Sequence, residues 1–132
     1  MKVKIEGLKQ RVPEDSDVIK NFISFLQDEL PLVNDIEIYF LDNKEKNMTT
    51  GIRLRNMMGI LSKGRMLIDV LRTLAHEWVH EYQHQKMGLD DTQKYQDVGG
   101  PVENMSNTLS GIFVKKFEKL NPDSHSILYG MD

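Results

Sequence analysis

The amino-acid sequence predicts an α+β fold in which a small β-sheet of about three to four strands packs on a long helix, with about three helices in all. Short segments alternate apolar and polar residues with a period of two, which is typical of half-buried strands. Longer segments repeat apolar residues every three or four positions, which is typical of helices that bury one face. The chain has 132 residues. Since one hydrophobic core is usual at this length, we expect residues 1–132 to form a single domain.

The composition restricts the kind of metal site and the kind of partner. The chain has no cysteine, 17 Lys and Arg residues, 20 Asp and Glu residues and a formal net charge of −3. Disulfides and thiolate ligands are therefore excluded, and a metal would need His, Asp, Glu or backbone oxygen as ligands. The negative charge provides no general attraction to nucleic acid, so no nucleic-acid partner is expected.

The N-terminal residues bear on location. Residues 2–6 carry a charge at every second position, where a signal peptide needs an unbroken apolar run. No stretch approaches the ~20 apolar residues of a membrane span. We therefore expect a cytoplasmic protein that does not contact a membrane. The sequence leaves the oligomeric state open.

The first part of the chain predicts two strands with a helix between them. Residues 2–6 predict a short strand because charged and apolar side chains alternate. The apolar face of residues 17–30 predicts a helix, with Asp15 or Ser16 as its N-terminal cap and Pro31 as its stop. Ile36–Leu41 is rich in β-branched and aromatic residues and predicts the second strand.

The central segments predict a hairpin followed by a long helix. Residues 52–55 alternate again, and the turn-forming residues 62–64 lead into residues 65–68, which suggests a hairpin on the sheet. Asp69 is predicted to cap a helix that ends near Met87, with Gly88 as its C-terminal cap.

The last part of the chain predicts one more helix. Residues 89–100 are polar, and Pro101 is a suitable first residue for a helix that continues to about Leu120. The residues that follow Asn121 and Pro122 are predicted to be irregular.

The most informative segment for function is His76-Glu77-Trp78-Val79-His80, which has the pattern H-E-x-x-H. It lies in the predicted long helix, where residues four apart share one face, so two imidazoles can bind one ion. We predict that His76 and His80 bind one Zn²⁺ ion and that Glu77 is the general base for the attacking water. The alternative is a surface helix with two histidines and an incidental acid.

A catalytic zinc usually has three protein ligands, so a third is needed. His84 continues the four-residue spacing, but it lies about 12 Å along the helix axis from His76, and residues 81–83 contain no Gly or Pro that would break the helix. We therefore predict a solvated position or a supporting role for His84. Glu103, at the start of the last helix, is the better third ligand. The alternative is an exposed acid favoured by the helix dipole.

Asn107 lies one turn after Glu103 on the same strip of the last helix. Its amide could accept a hydrogen bond from the ring of a ligand histidine and so fix the tautomer of that ring. An ordinary exposed amide is an equally good interpretation. The small residues Ser110 and Gly111 would let this helix approach its neighbour closely.

Residues 73–84, Thr-Leu-Ala-His-Glu-Trp-Val-His-Glu-Tyr-Gln-His, resemble the active-site helix of small gluzincins, especially the ImmA/IrrE-type cytoplasmic metallopeptidases. In that family a downstream helix carries a ligand Glu followed by Ala-Asn or Ala-Asp, and residues 103–107, Glu-Asn-Met-Ser-Asn, match with Ser for Ala. The resemblance covers about residues 49–117. It implies a zincin-like core, in which one mixed sheet packs on an active-site helix and a second helix provides the glutamate.

The sequence also departs from the family pattern. Trp78 stands where Leu or Ile usually follows the glutamate, and a large core can accommodate it. No helix-turn-helix or partner domain accompanies the core, so the regulatory roles of multidomain relatives are not carried over. A minimal peptidase is the expectation.

The resemblance implies zinc-dependent hydrolysis of a protein or peptide substrate. By analogy with gluzincins that use a C-terminal His or Tyr, His125 and Tyr129 are candidate oxyanion donors, although a solvated tail is the alternative. If the zincin analogy holds, substrate binds antiparallel along an edge strand within residues 52–61. Met57 and Met58 could then line a pocket or simply fill the core.

Two other functions are consistent with the motif. One is a metal-stabilised binding or regulatory protein without significant turnover, although a structural site has no need of the base Glu77. The other is a DNA-associated protease of the SprT kind, which the negative charge and the lack of cysteine disfavour.

Overall fold

The structure is a computed structural model that describes residues 1–43, 48, 50–88 and 101–130. It contains four strands and four α-helices, and this agrees with the predicted α+β class. In chain order the elements are β1 (Val3–Glu6), α1 (Pro13–Glu29), β2 (Ile36–Leu41), β3 (Gly51–Leu54), β4 (Met57–Leu61), α2 (Leu67–Met87), α3 (Pro101–Leu120) and α4 (His125–Leu128), with single 3-10 turns at Leu8–Gln10 and Pro122–Ser124.

The four strands form one mixed sheet in the order β1-β2-β4-β3. β2 lies parallel to both β1 and β4, with Ile38 opposite Ile5 on one side and Met58 on the other. β3 pairs antiparallel with β4 and is the last strand of the sheet. The predicted small mixed sheet is therefore confirmed, and β3 provides one of its edges.

The hairpin lies one segment earlier than predicted. Leu54 pairs with Met57, so the turn consists of Arg55 and Asn56, and Asn56 adopts a positive φ of 57°. Residues 62–64 instead connect β4 to α2, and residues 67 and 68 are buried in the first turn of that helix. The prediction was wrong because β4 is a central strand buried at Met58, Gly59 and Ile60, and such a strand has no alternating pattern.

Three helix boundaries also correct the predictions. α1 begins at Pro13 after an extended Val12, so neither Asp15 nor Ser16 is its cap. α2 begins after Met66 rather than at Asp69. The segment after Pro122 is not irregular, because α4 forms there and buries Leu128 completely, so the described residues contain four α-helices instead of about three.

Other boundaries agree with the predictions. Gly88 ends α2 in the left-handed conformation with a φ of 70°, and α3 spans Pro101–Leu120. The predicted polar segment 89–100 lies outside the described residues. Among the helices of the described residues, none has the length and apolar composition that a bilayer span requires.

The hydrophobic core lies between one face of the sheet and the helices. In β2, alternate residues are buried and the residues between them are half-exposed, as expected of a strand covered on one side. α2 contributes Leu71, Leu74, Ala75 and Trp78, all fully buried. The indole of Trp78 donates to the carbonyl oxygen of Leu30 at 2.9 Å, so the core accommodates the large residue in the motif. This packing holds α2 in a fixed position against the sheet.

Candidate metal centre

The predicted ligands lie where α2 and α3 pack against each other. The carbonyl oxygen of His76 accepts a hydrogen bond of 2.8 Å from the hydroxyl of Ser106, which is fully buried. His80, one turn later in α2, faces Glu103, one turn earlier in α3. The two helices therefore run in opposite directions at this contact. A small residue at 106 permits the close approach, whereas Gly111 is exposed.

The side chains of His76, His80 and Glu103 converge on one point. Nε2 of His76 lies 2.8 Å from Oε1 of Glu103, and Nε2 of His80 lies 3.1 Å from Oε2 of the same carboxylate. The two Nε2 atoms are 3.1 Å apart. In this group each residue offers one ligand atom, and these atoms all lie within 4.8 Å of one another.

These separations fit a single zinc ion. Zinc binds nitrogen and oxygen at about 2.0–2.1 Å with tetrahedral geometry, which places neighbouring ligand atoms about 3.3 Å apart. The two Nε2 atoms and the carboxylate are spaced at nearly this distance. Two imidazoles and a carboxylate are also a donor set that zinc commonly uses. The three side chains could therefore hold one Zn²⁺ ion with little rearrangement.

His80 presents a lone pair, not a proton, to this point. Its Nδ1 lies 2.8 Å from Oε1 of Gln83, and the amide nitrogen of Gln83 donates to the carbonyl oxygen of Val102 at 3.0 Å. That second bond directs the amide oxygen of Gln83 towards His80, so the proton of the neutral ring is on Nδ1. The unprotonated Nε2 then faces the Glu103 carboxylate, an arrangement that a cation between them would stabilise.

The charge state of His76 depends on burial and on three neighbouring side chains. The pKa of His76 is lowered by burial and by the neighbouring His80, while the negative charge of Glu103 and hydrogen bonds from the ring to Glu103 and Asn107 act in the opposite direction. A lowered pKa favours the neutral imidazole, which is the form that binds metal. The supporting role of Asn107 at the His76 ring stays a prediction.

Glu77 lies beside the group in a buried position. Burial, and then the negative charge of Glu103, raises the pKa of its carboxyl to about 8, and the positive charge of Arg53 opposes this. A divalent cation bound to the neighbouring histidines would also lower this pKa. Glu77 is therefore placed to exchange a proton in the environment next to the ligands.

Arg53 and Glu81 form a buried ion pair that sequence reasoning missed. Nη1 of Arg53 in β3 lies 2.5 Å from Oε1 of Glu81 in α2, and the side chains are only 3% and 0% exposed. Gln85 donates to the second oxygen of Glu81 at 2.6 Å. Arg53, Glu77, Glu81 and Glu103 together comprise one guanidinium and three carboxyl groups, so ionisation of all four leaves an excess of two negative charges. A divalent cation would balance that excess.

The remaining candidates lie outside this group. His84 is partly exposed on α2, one turn beyond His80. Tyr129 donates its hydroxyl proton to Glu118, which lies about 22 Å along α3 from Glu103, and its ring packs against His125 with centroids 4.8 Å apart. The oxyanion role of His125 and Tyr129 stays a prediction.

The two methionines that were candidates for a substrate pocket have different environments. Met58 is fully buried in the core, whereas Met57 is half-buried. Met58 therefore fills the core, and of the two methionines only Met57 lies near enough to the surface to line a substrate pocket.

Gly51 permits β3 to lie close to α2. A Cβ at this position would lie 2.6 Å from Cγ2 of Thr73 and 3.0 Å from Oε2 of Glu77. A carbon–carbon contact of 2.6 Å does not occur without strain, so a side chain at position 51 would push β3 away from α2. This glycine and the Arg53–Glu81 pair together set the distance between the edge strand and the general-base candidate.

We expect Gly51→Ala to lower the free energy of unfolding of the metal-free protein by about 1–3 kcal/mol, measured by urea denaturation. Thr73→Ser removes the methyl group that the new Cβ would meet and should restore part of the loss in the double variant. Gly111→Ala is the control, because a Cβ there would meet no described atom within 4 Å, and alanine favours the helix. Equal effects of Gly51→Ala and Gly111→Ala would contradict the close approach of β3.

Comparisons of the chain with protein-family models, with curated proteins and with solved structures found no match. What the site can do is therefore inferred from the geometry and chemistry of its own residues. The resemblance to gluzincins stays an expectation based on residues 73–84 and 103–107.

Proposed function

We propose that the protein is a zinc-dependent peptidase with a zincin-like core, in which His76, His80 and Glu103 hold the metal and Glu77 is the general base. The observation that carries this proposal is the convergence of two Nε2 atoms and one carboxylate, from two helices, at separations of 2.8–3.1 Å. The motif on α2 predicts two of these ligands, His76 and His80. The third, Glu103, lies 23 residues after His80 in the chain. A chance cluster of surface histidines would not produce this agreement between motif and geometry.

The burial of Glu77 supports hydrolysis over a purely structural metal site. A structural site needs four ligands and no base, whereas a carboxylate buried beside three ligands is suited to proton transfer. Zinc bound here would polarise the scissile carbonyl and lower the pKa of water. Glu77 then accepts a proton from the attacking water and delivers it to the leaving amine, so that the carboxylate is regenerated after each cleavage.

The position of β3 supports an extended peptide as substrate. β3 is the last strand of the sheet, and its first residue, Gly51, lies against Glu77. An added strand next to β3 would be held by main-chain hydrogen bonds and would pass near the ligands on α2. Leu54, which is 52% exposed, and half-buried Met57 lie at the other end of this hairpin and could contact apolar side chains of such a peptide.

The proposal is tested by zinc content and cleavage together. We expect the purified protein to contain about one zinc ion per chain and to cleave an unfolded protein substrate, with loss of cleavage on removal of the metal by a chelator and recovery on return of zinc. Glu103→Ala should lose most of the bound zinc, because only two protein ligands remain. His84→Ala is the matched control on α2 and should retain it.

The possible results separate the candidate functions. Zinc retained in Glu103→Ala and lost in His84→Ala would overturn the ligand assignment. Stoichiometric zinc without cleavage of any unfolded substrate would favour the metal-stabilised binding protein over the peptidase. Elemental analysis of the same preparations that are used for the cleavage assay makes the two measurements comparable.

A further inference from the structure

One buried amide bonds to a candidate ligand of α2 and to the residue that precedes the candidate ligand of α3. Gln83 is 2% exposed, and its amide bonds on both sides: the oxygen accepts from the ring of His80, and the nitrogen donates to the carbonyl oxygen of Val102. Val102 immediately precedes Glu103 in the first turn of α3. Gln83 therefore contacts a ligand of α2 directly and lies against the residue next to the ligand of α3.

The two hydrogen bonds depend on each other. An amide presents an acceptor on one side and a donor on the other, and the Val102 carbonyl can only accept. The nitrogen of Gln83 must therefore face Val102, and the oxygen is left to face Nδ1 of His80. As a result, the helix that carries Glu103 determines which nitrogen of His80 is protonated.

Loss of this amide would favour a ring that cannot bind metal. Without an acceptor for Nδ1, the proton of the neutral ring is free to move to Nε2. The carboxylate of Glu103 lies 3.1 Å from Nε2 and would accept a hydrogen bond from this N–H group. A proton on Nε2 occupies the lone pair that the metal needs. The metal would then have to displace that proton and break the bond to Glu103 before it could bind.

We propose that Gln83 is a positioning residue that sets the metal affinity of the site by holding the Nε2 lone pair of His80 towards Glu103. This inference rests on the proposed metal site, and it adds a determinant that lies outside the three ligands. Because Gln83 follows His80 by three residues on α2, it lies on the same side of the helix and can reach the ring.

The first experiment uses metal-free protein, so it does not depend on zinc binding. The ¹⁵N chemical shifts of the His80 ring, recorded above the pH range of imidazole titration, report which nitrogen carries the proton. We expect the Nδ1–H tautomer in the wild type and in Gln83→Glu, whose carboxylate still accepts from Nδ1. Gln83→Met, which has a similar shape but no acceptor, should shift to the Nε2–H tautomer.

The second experiment measures the zinc dissociation constant by competition with a chelator. We expect Gln83→Met to bind zinc about 10–100-fold more weakly than the wild type, the usual effect of removing a residue that supports a ligand histidine. Gln83→Glu should bind more tightly than Gln83→Met because it keeps the bond to His80.

The matched control is Gln27, which makes the same pair of amide bonds, to the carbonyl oxygen and the amide nitrogen of Leu32, at 3.1 Å each. Gln27→Met removes two similar bonds at the end of α1 and should leave the zinc affinity within about twofold of the wild type. Equal affinities of Gln83→Met and wild type, equal losses in Gln83→Met and Gln27→Met, or an unchanged tautomer in Gln83→Met would each overturn the inference. A wild-type protein that binds no zinc would overturn the proposed function, and the tautomer measurement would still decide the role of Gln83.

Discussion

Glu77→Gln is expected to lower peptide cleavage by about 10³-fold and to leave the zinc content at the wild-type level. Glutamine has nearly the same shape as glutamate, so it fits the space between α2 and Gly51, but its amide cannot accept a proton from water. Loss of a general base typically reduces a rate by about 10²–10⁴-fold. The zinc content is expected to persist because the three ligand side chains are untouched. Cleavage and elemental analysis of one preparation provide both results.

The stability of the same variant separates loss of chemistry from loss of structure. Burial raises the pKa of Glu77 to about 8, which means that ionisation of this carboxyl opposes folding of the metal-free protein. Between the ordinary carboxyl pKa and about 8, the unfolded chain releases this proton while the folded chain keeps it, so the wild type loses stability as the pH rises. The neutral amide removes that cost. We therefore expect metal-free Glu77→Gln to be at least as stable as the wild type at neutral pH.

Glu29→Gln provides the control for the predicted loss of cleavage in Glu77→Gln. Glu29 lies at the end of α1 and pairs with Lys116 at the surface, away from the candidate ligands. The same change of a carboxylate to an amide should therefore leave cleavage unaltered. Wild-type cleavage by Glu77→Gln would reject the general-base role, whatever the zinc content.

The parts of the site that follow helical periodicity were predictable from the sequence. His76, Glu77 and His80 lie within one turn of a single helix, so their relation depends only on the backbone geometry of α2. Glu103 was predictable as a candidate ligand, because a catalytic zinc site usually has a third protein ligand and this acid lies at the start of the next helix. Its pairing with both histidines is a tertiary contact that spacing alone does not determine.

The residues that the sequence did not predict act across elements. Gln83 is three positions from His80 and could have been suspected from that spacing, but its donor bond to Val102 depends on where α3 packs. Arg53 and Gly51 are in β3, whose position next to α2 follows from the order of strands in the sheet. The hairpin was placed wrongly for a related reason. β4 reads Met-Met-Gly-Ile-Leu and has no polar residue on either face, so it lacks the alternation by which a strand is recognised.

Arg53 and Glu81 show what such a tertiary contact contributes. The pair joins the edge strand β3 to α2. Gln85 extends this contact to the segment after α1, where its oxygen accepts from the amide nitrogens of Val33 and Asn34 at 2.8 and 3.0 Å. A buried ion pair often contributes little net stability compared with apolar side chains of the same size. Its effect here is on position, because it fixes β3 next to the helix that carries Glu77.

Arg53→Met is expected to lower the free energy of unfolding by about 3–5 kcal/mol, because it leaves the carboxylate of Glu81 buried without its cation. The measurement is urea denaturation of the metal-free protein at neutral pH. Removing both charges should cost much less than removing one, so Arg53→Met combined with Glu81→Gln is expected to recover most of the loss.

The matched control for Arg53→Met is Arg72→Met in the exposed pair with Asp69, in which the charged atoms are 3.3 Å apart and both side chains are about half-exposed. Exposed pairs contribute about 0–1 kcal/mol, so this change should have a small effect. Similar losses in Arg53→Met and Arg72→Met, or no recovery in the double variant, would contradict the buried pair. For the double variant we expect stability to recover and cleavage to stay low. The replacement side chains restore packing, but they no longer form the ion pair that holds β3 in the position that brings a bound peptide to Glu77.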